Sequence, residues 1–143
     1  MLNGIAASSD GNTLYVVYSG ENKIKMIDVK SSEILLSTTV PAADNIKWSS
    51  ERNTLVAASF DRSESSDAFS RCVSSAIEIC PVRFSIVELN PNTLAKQTIF
   101  ENQDAPMGAG TVGLKLGSTL FIGTFSGNRI LEVNLAETDN FDK

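Results

Sequence analysis

The chain, 143 residues long, contains no histidine. That absence removes Ser-His-Asp and Cys-His nucleophilic catalysis, and any histidine metal site, from what this chain can assemble by itself. Cysteine is scarce. Cys72 and Cys80 are the only two, with seven residues between them, whereas a zinc knuckle needs a closer pair and a second one. Basic residues are outnumbered, 12 Lys and Arg against 17 Asp and Glu, for a net charge of −5. Nucleic acid and anionic membrane are poor partners for such a chain, because phosphate binding needs clustered cations. No apolar run approaches the roughly 18–20 residues of a membrane span. Met1-Leu2-Asn3-Gly4 does not read as a signal peptide, which needs a basic and then an apolar region. Gly108-Ala109-Gly110 lacks the Lys-Ser/Thr of a phosphate loop and leads into a predicted strand rather than a helix.

What is present is repetition. Asn3-Gly4-Ile5 through Leu14-Tyr15-Val16-Val17 lines up with Asp44-Asn45-Ile46 through Leu55-Val56-Ala57-Ala58, 41 residues on. Gly110-Thr111-Val112 through Leu120-Phe121-Ile122-Gly123 follows as a third copy. A period of about 40–45 residues containing four short strands is the mark of a β-propeller blade. The hydrophobic content of 42% and charged content of 20% are ordinary globular values.

Each repeat can be read as strands. In the first, residues 5–8, 13–18, 23–29 and 34–40 alternate or run apolar, and Ser9-Asp10-Gly11-Asn12 supplies a hairpin signal. The second gives 46–49, 54–60, 83–89 and 94–100. The third gives 111–115, 118–125 and 128–135 and then lacks a fourth strand. The expectation is one partial all-β propeller domain with blades at about 1–40, 41–105 and 106–135, the last incomplete. Fewer than three full blades do not close a ring, so two accounts are open. The chain is the C-terminal half of a roughly six-bladed propeller, or a second protomer supplies the missing blades.

Several residues receive ordinary readings. Lys23, Arg83 and Arg129 open the third strand of each repeat, and Asp28, Glu88 and Asn134 lie near its end; all six are expected on solvated outer edges. Trp48 is expected to pack between blades. The run Glu101-Asn102-Gln103-Asp104 is expected to be a solvated turn.

The residues left for chemistry stand at the head of the first strands: Asn3, Asp44 and Asn45. In an antiparallel meander the start of the first strand, the end of the second and the start of the third share one end. Asn3 and Asp44 hold equivalent places in adjacent blades, so both should reach the channel mouth at one face. Amide and carboxylate oxygens converging there are hard ligands of the kind calcium or magnesium prefers. The plainer alternative is that Asn3 and Asp44 only cap the turns entering these strands. Thr111 is the third-blade counterpart, to within one residue of alignment.

Asn3-Gly4-Ile5-Ala6…Ser9-Asp10-Gly11-Asn12-Thr13-Leu14-Tyr15-Val16, Asp44-Asn45-Ile46…Asn53-Thr54-Leu55-Val56-Ala57 and Gly110-Thr111-Val112…Leu120-Phe121-Ile122-Gly123-Thr124 together resemble the paraoxonase/arylesterase family and its gluconolactonase-like relatives. The resemblance implies a six-bladed propeller in which calcium at the channel mouth polarises the carbonyl of a small-molecule ester or lactone. It implies Asn3, Asp44 and Asn45 as metal ligands; Thr111, from its place as their third-blade counterpart at the channel mouth, is a candidate substrate contact. The family's remaining ligands and its histidines come from earlier blades, so no catalytic residue is assigned here and the calcium site is incomplete. A strictosidine-synthase-like propeller and a non-enzymatic binding propeller are the alternative readings.

The sequence departs from that pattern between Phe60 and Val82, where an insertion at 61–81 replaces a short connection. A connection of that length is uncommon without a role, and it is expected to be either a lid beside Asn3 and Asp44 or a solvated Ser-rich excursion. Cys72 and Cys80 both lie in it. A bond between them would favour an extracytoplasmic compartment, and two free thiols are the other possibility.

Overall fold

The computed structural model describes residues 1–49, 53–60, 70, 72, 73, 79–102 and 106–135. The chain is all-β. Its strands are β1 Leu2–Ala7, β2 Thr13–Tyr18, β3 Lys23–Asp28, β4 Ile34–Thr39, β5 Ala43–Ser49, β6 Thr54–Phe60, β7 Phe84–Leu89, β8 Lys96–Glu101, β9 Gly110–Leu116, β10 Thr119–Thr124 and β11 Leu131–Asn134. They form three antiparallel meanders in the orders β1-β2-β3-β4, β5-β6-β7-β8 and β9-β10-β11. The first strands of successive sheets pack side by side, β1 against β5 and β5 against β9.

Local chemistry explains the turns. Asp10 accepts hydrogen bonds from the Ser8 hydroxyl at 2.5 Å and from the Asn12 backbone N–H at 3.0 Å, and Gly11 takes the φ of +73° that the reversal requires. The β3–β4 and β7–β8 turns are built alike. Asp28 Oδ1 accepts from the Ser31 N–H, and Asn90 Oδ1 from the Thr93 N–H. Ser32 and Leu94 then stand at φ +62° and +55°. Leu94, expected to open a strand, is therefore a turn residue, and β8 begins at Lys96. The first strands start earlier than expected, at Leu2 and Ala43, because a bulge interrupts pairing there without ending the strand.

The second sheet is buried on both faces. Leu55, Ala57, Val87 and Leu89 meet Tyr15, Val17 and Ile24 of the first sheet. Val56, Ala58, Ile86 and Phe84 meet Leu120 and Ile122 of the third. Trp48 packs in the first of these seams, its ring 5.8 Å from that of Tyr15, as its sequence context implied. Tyr15 also donates its hydroxyl to Pro91 O at 3.1 Å. The outward faces of the first and third sheets stay open, with Ile5 60% and Leu116 47% exposed.

Two sequence expectations are corrected. Glu88 is not a solvated edge residue. It pairs with Val56, so alternation turns it toward the third sheet, where it is 2% exposed and bound by Lys115. Register also makes its counterparts Met26 and Glu132, while Asp28 and Asn134 correspond to Asn90. Asn102 is likewise buried, its N–H donating to Phe84 O at 2.9 Å and its side-chain amide to Met107 O. Gln103 and Asp104 lie outside the described residues, as does most of the 61–81 insertion. Of that insertion, Cys72 and Cys80 form a disulfide and pack with Val82 and Ala109. Among the described residues no helix is long and apolar enough to cross a membrane.

Candidate metal and ligand site

Each first strand carries one extra residue at the same place. Leu2 pairs with Tyr18 and Ile5 with Val16, so Asn3 and Gly4 fall in the irregularity. Ala43 pairs with Ser59 and Ile46 with Ala57, which puts Asp44 and Asn45 in the next one. Gly110 pairs with Thr124 and Val112 with Gly123, which leaves Thr111 as the extra residue of the third. Bulges of this kind re-aim a side chain and gather at rims and binding sites. Counting along each ladder from Leu14, Leu55 and Leu120 makes Asn3, Asp44 and Thr111 direct counterparts. The one-residue ambiguity in aligning the third repeat is thereby resolved, and Gly110 is the counterpart of Leu2 and Ala43.

The row is tight. A Cβ on Gly4 would lie 2.7 Å from Asn45 Cα and 2.8 Å from Asp44 O, so glycine is what allows β1 to approach β5. Asn45 Nδ2 donates to Thr111 O at 3.1 Å and to Asp44 Oδ1 at 3.3 Å. The Asn3 side chain lies near enough to Asp44 to favour its carboxylate. Asp44 thus stands between two amides, one from the neighbouring strand and one from its own. These residues lie inside strands rather than in the turns entering them, so turn capping does not account for them.

Asp44 is half-buried, and burial pushes its carboxyl above the ordinary 3.8, with the Asn3 side chain partly offsetting the shift. Asn3 is exposed and Thr111 half-buried; the Thr111 hydroxyl donates to Gly123 O at 3.4 Å. Four oxygen-bearing side chains from three strands are therefore brought to one end of the sheets, with a single acid among them. A carboxylate and two amides suit a hard cation by type, but the Asn45 amide turns its N–H toward Asp44, and the set falls short of the about 6–8 oxygens that calcium takes. Among the described residues no group of three or more His, Cys, Asp or Glu side chains comes together. A cleft of about 430 Å³ lies apart from this row, lined by Val40, Pro41, Phe60, Phe84, Gln97 and Asn102 on the outer part of the second sheet.

Sequence reasoning missed the Glu88–Lys115 pair. Its signal was available: an acid within the apolar run Ile86-Val87-Glu88-Leu89, and a lysine flanked by Leu114 and Leu116.

No protein-family model matches the chain, and no curated protein is detectably similar to it.

Proposed function

We propose that the three sheets are successive blades of a roughly six-bladed β-propeller, and that the chain is the C-terminal part of a calcium-dependent hydrolase of small esters or lactones. The observation that carries this reading is the row of bulged first strands, which aligns Asn3, Asp44 and Thr111 and ties Asn45 across to the third sheet. The two open sheet faces support a ring continued by further blades, since closure is how such sheets cover their faces and edges.

In this proposal Asn3, Asp44 and Asn45 would hold the ion and Thr111 would face substrate. Calcium held there would supply a Lewis acid for the carbonyl and would lower the pKa of water at the site. Asp44 brings the negative charge. Its partial burial makes that charge costly without a cation and more effective with one. The Asn45–Thr111 bond fixes the Asn45 amide, which in turn contacts the Asp44 carboxylate. The chain contributes metal-holding groups and no general base, so turnover needs residues from the remaining blades. The Cys72–Cys80 bond favours an extracytoplasmic setting, because disulfides persist where the compartment is oxidising.

Thermal unfolding with calcium, and then with chelator, tests this reading. Free calcium at about 100 times its Kd should stabilise the chain by about 2.7 kcal/mol, and Asp44→Ala should remove the response. A transition indifferent to calcium would favour a non-enzymatic binding propeller. That second reading has its own support. The bonds of Asn45 with Asp44 and with Thr111 already tie β5 to β9 without an ion.

A further inference from the structure

The second and third sheets meet through a buried ion pair whose parts recur, incomplete, on the far face of the third sheet. Lys115 Nζ on β9 donates to both carboxylate oxygens of Glu88 on β7, at 3.0 and 2.9 Å. Thr54 Oγ1 on β6 donates to the same carboxylate at 2.7 Å. Both charged residues are buried, Glu88 2% and Lys115 5% exposed.

Strand register gives these residues counterparts. Thr119 on β10 takes the place of Thr54 on β6. Glu132, opposite Phe121, takes the place of Glu88, opposite Val56. Glu132 is exposed, on the face of the third sheet that also carries Val112, Leu114, Leu116 and Phe121. Leu114 and Leu116 are 46% and 47% exposed. Among the described residues no cation lies against Glu132. The third sheet therefore repeats the apolar face and places Thr119 and Glu132 where the second sheet has Thr54 and Glu88, with the Thr119 hydroxyl donating instead to Asn134 Oδ1 at 3.5 Å, and it lacks the lysine.

We infer that this face docks a further antiparallel sheet whose first strand presents Lys or Arg at the position of Lys115, paired with Glu132. The inference rests on the reading of the three sheets as successive repeats, and it says which kind of sheet comes next. That sheet is not the first sheet of a second copy. A second copy repeating the same seam would offer its own open face, where the counterpart of Lys115 is Ala7: Ala7 pairs with Leu14 as Lys115 pairs with Leu120. Lys25 also lies on that open face, paired with Val16, but it is held by Glu21 at 2.7 Å, so docking there would bury the Glu132 carboxylate with no cation at the place of Lys115, which is strongly unfavourable. Charge complementarity thus selects a partner of different sequence.

Placing the missing cation on a second copy tests this. Ala7 is exposed, so Ala7→Lys is compatible with the fold. Sedimentation equilibrium is run in chelator on the wild type, Ala7→Lys and the Ala7→Lys/Glu132→Gln double variant. The wild type should stay monomeric where Ala7→Lys self-associates at least about tenfold more tightly, and Glu132→Gln should reverse the gain. Ala7→Lys associating no more tightly than the wild type, or a gain insensitive to Glu132→Gln, would overturn the proposal. So would a wild-type dimer of equal strength. Chelator keeps this outcome separate from the calcium response. Glu132-dependent association without a calcium effect removes the metal reading alone, and the converse result removes the docking face alone.

Discussion

Asn45 on β5 donates its side-chain N–H to the backbone carbonyl of Thr111 on β9, 3.1 Å away, while the same nitrogen touches Asp44 Oδ1 at 3.3 Å. One amide thereby links the bulges of the second and third sheets, and Asn3 reaches Asp44 from the first. The row is held by a hydrogen bond between strands rather than by loops.

The Asp44 carboxyl gives the row a pH signature. Its pKa is raised on folding, chiefly by burial, so the folded chain holds the proton more tightly and ionisation opposes folding. The penalty is present above the raised folded pKa and vanishes once the pH falls below the ordinary 3.8. In chelator, Asp44→Asn should be more stable than the wild type near neutrality, with the gap closing on acidification. With calcium the order should reverse. Urea midpoints across the pH range check both statements, and a variant less stable in chelator near neutrality would contradict the first.

Lys115 and Glu88 call for a double-mutant cycle. Lys115→Met should destabilise the chain by about 3–5 kcal/mol, because a buried carboxylate loses its counter-charge. Adding Glu88→Leu should restore much of that loss. Burial alone would raise the Glu88 pKa, but the hydrogen bonds from Lys115 and Thr54 and the lysine charge outweigh it and hold the carboxyl below the ordinary 4.5. The stability this contributes is present above 4.5 and is lost as pH falls through the folded value, so the cost of Lys115→Met should shrink in acid. Denaturant unfolding at two pH values measures it.

Gly4→Ala probes the approach of β1 to β5. The added methyl would meet backbone at 2.7 Å, where no flexible side chain can give way. A loss of about 1–3 kcal/mol is expected from overpacking, together with a weaker calcium response as Asn3 is pushed from Asp44. Unchanged unfolding in calcium and in chelator would show that the two strands separate at no cost.

The meanders were legible because their signals are local. Asp10-Gly11, the alternation around Met26 and the repeat of Leu14, Leu55 and Leu120 each act within a few residues. The candidate row was legible in part: Asn3, Asp44 and Asn45 stood out by repetition, and the place of Thr111 stayed one residue uncertain. A bulge adds a residue to one strand only, and nothing within that strand's own sequence marks which residue is extra. Glu88 shows the opposite failure. It was grouped with Asp28 by its nearness to a strand end, although pairing with Val56 turns it inward.

The sequence by itself determined an all-β chain of three repeated meanders, a chemistry without histidine, and the few oxygen-bearing residues that could serve a site. Those follow from composition and from turn and alternation rules, which depend on neighbours along the chain. The tertiary structure alone decided that Asn3, Asp44 and Thr111 share a row, that Gly4 must be small, and that Glu88 meets Lys115. Each of these depends on which strands lie side by side, and the burial that shifts Asp44 and pairs Glu88 exists only once the sheets have packed.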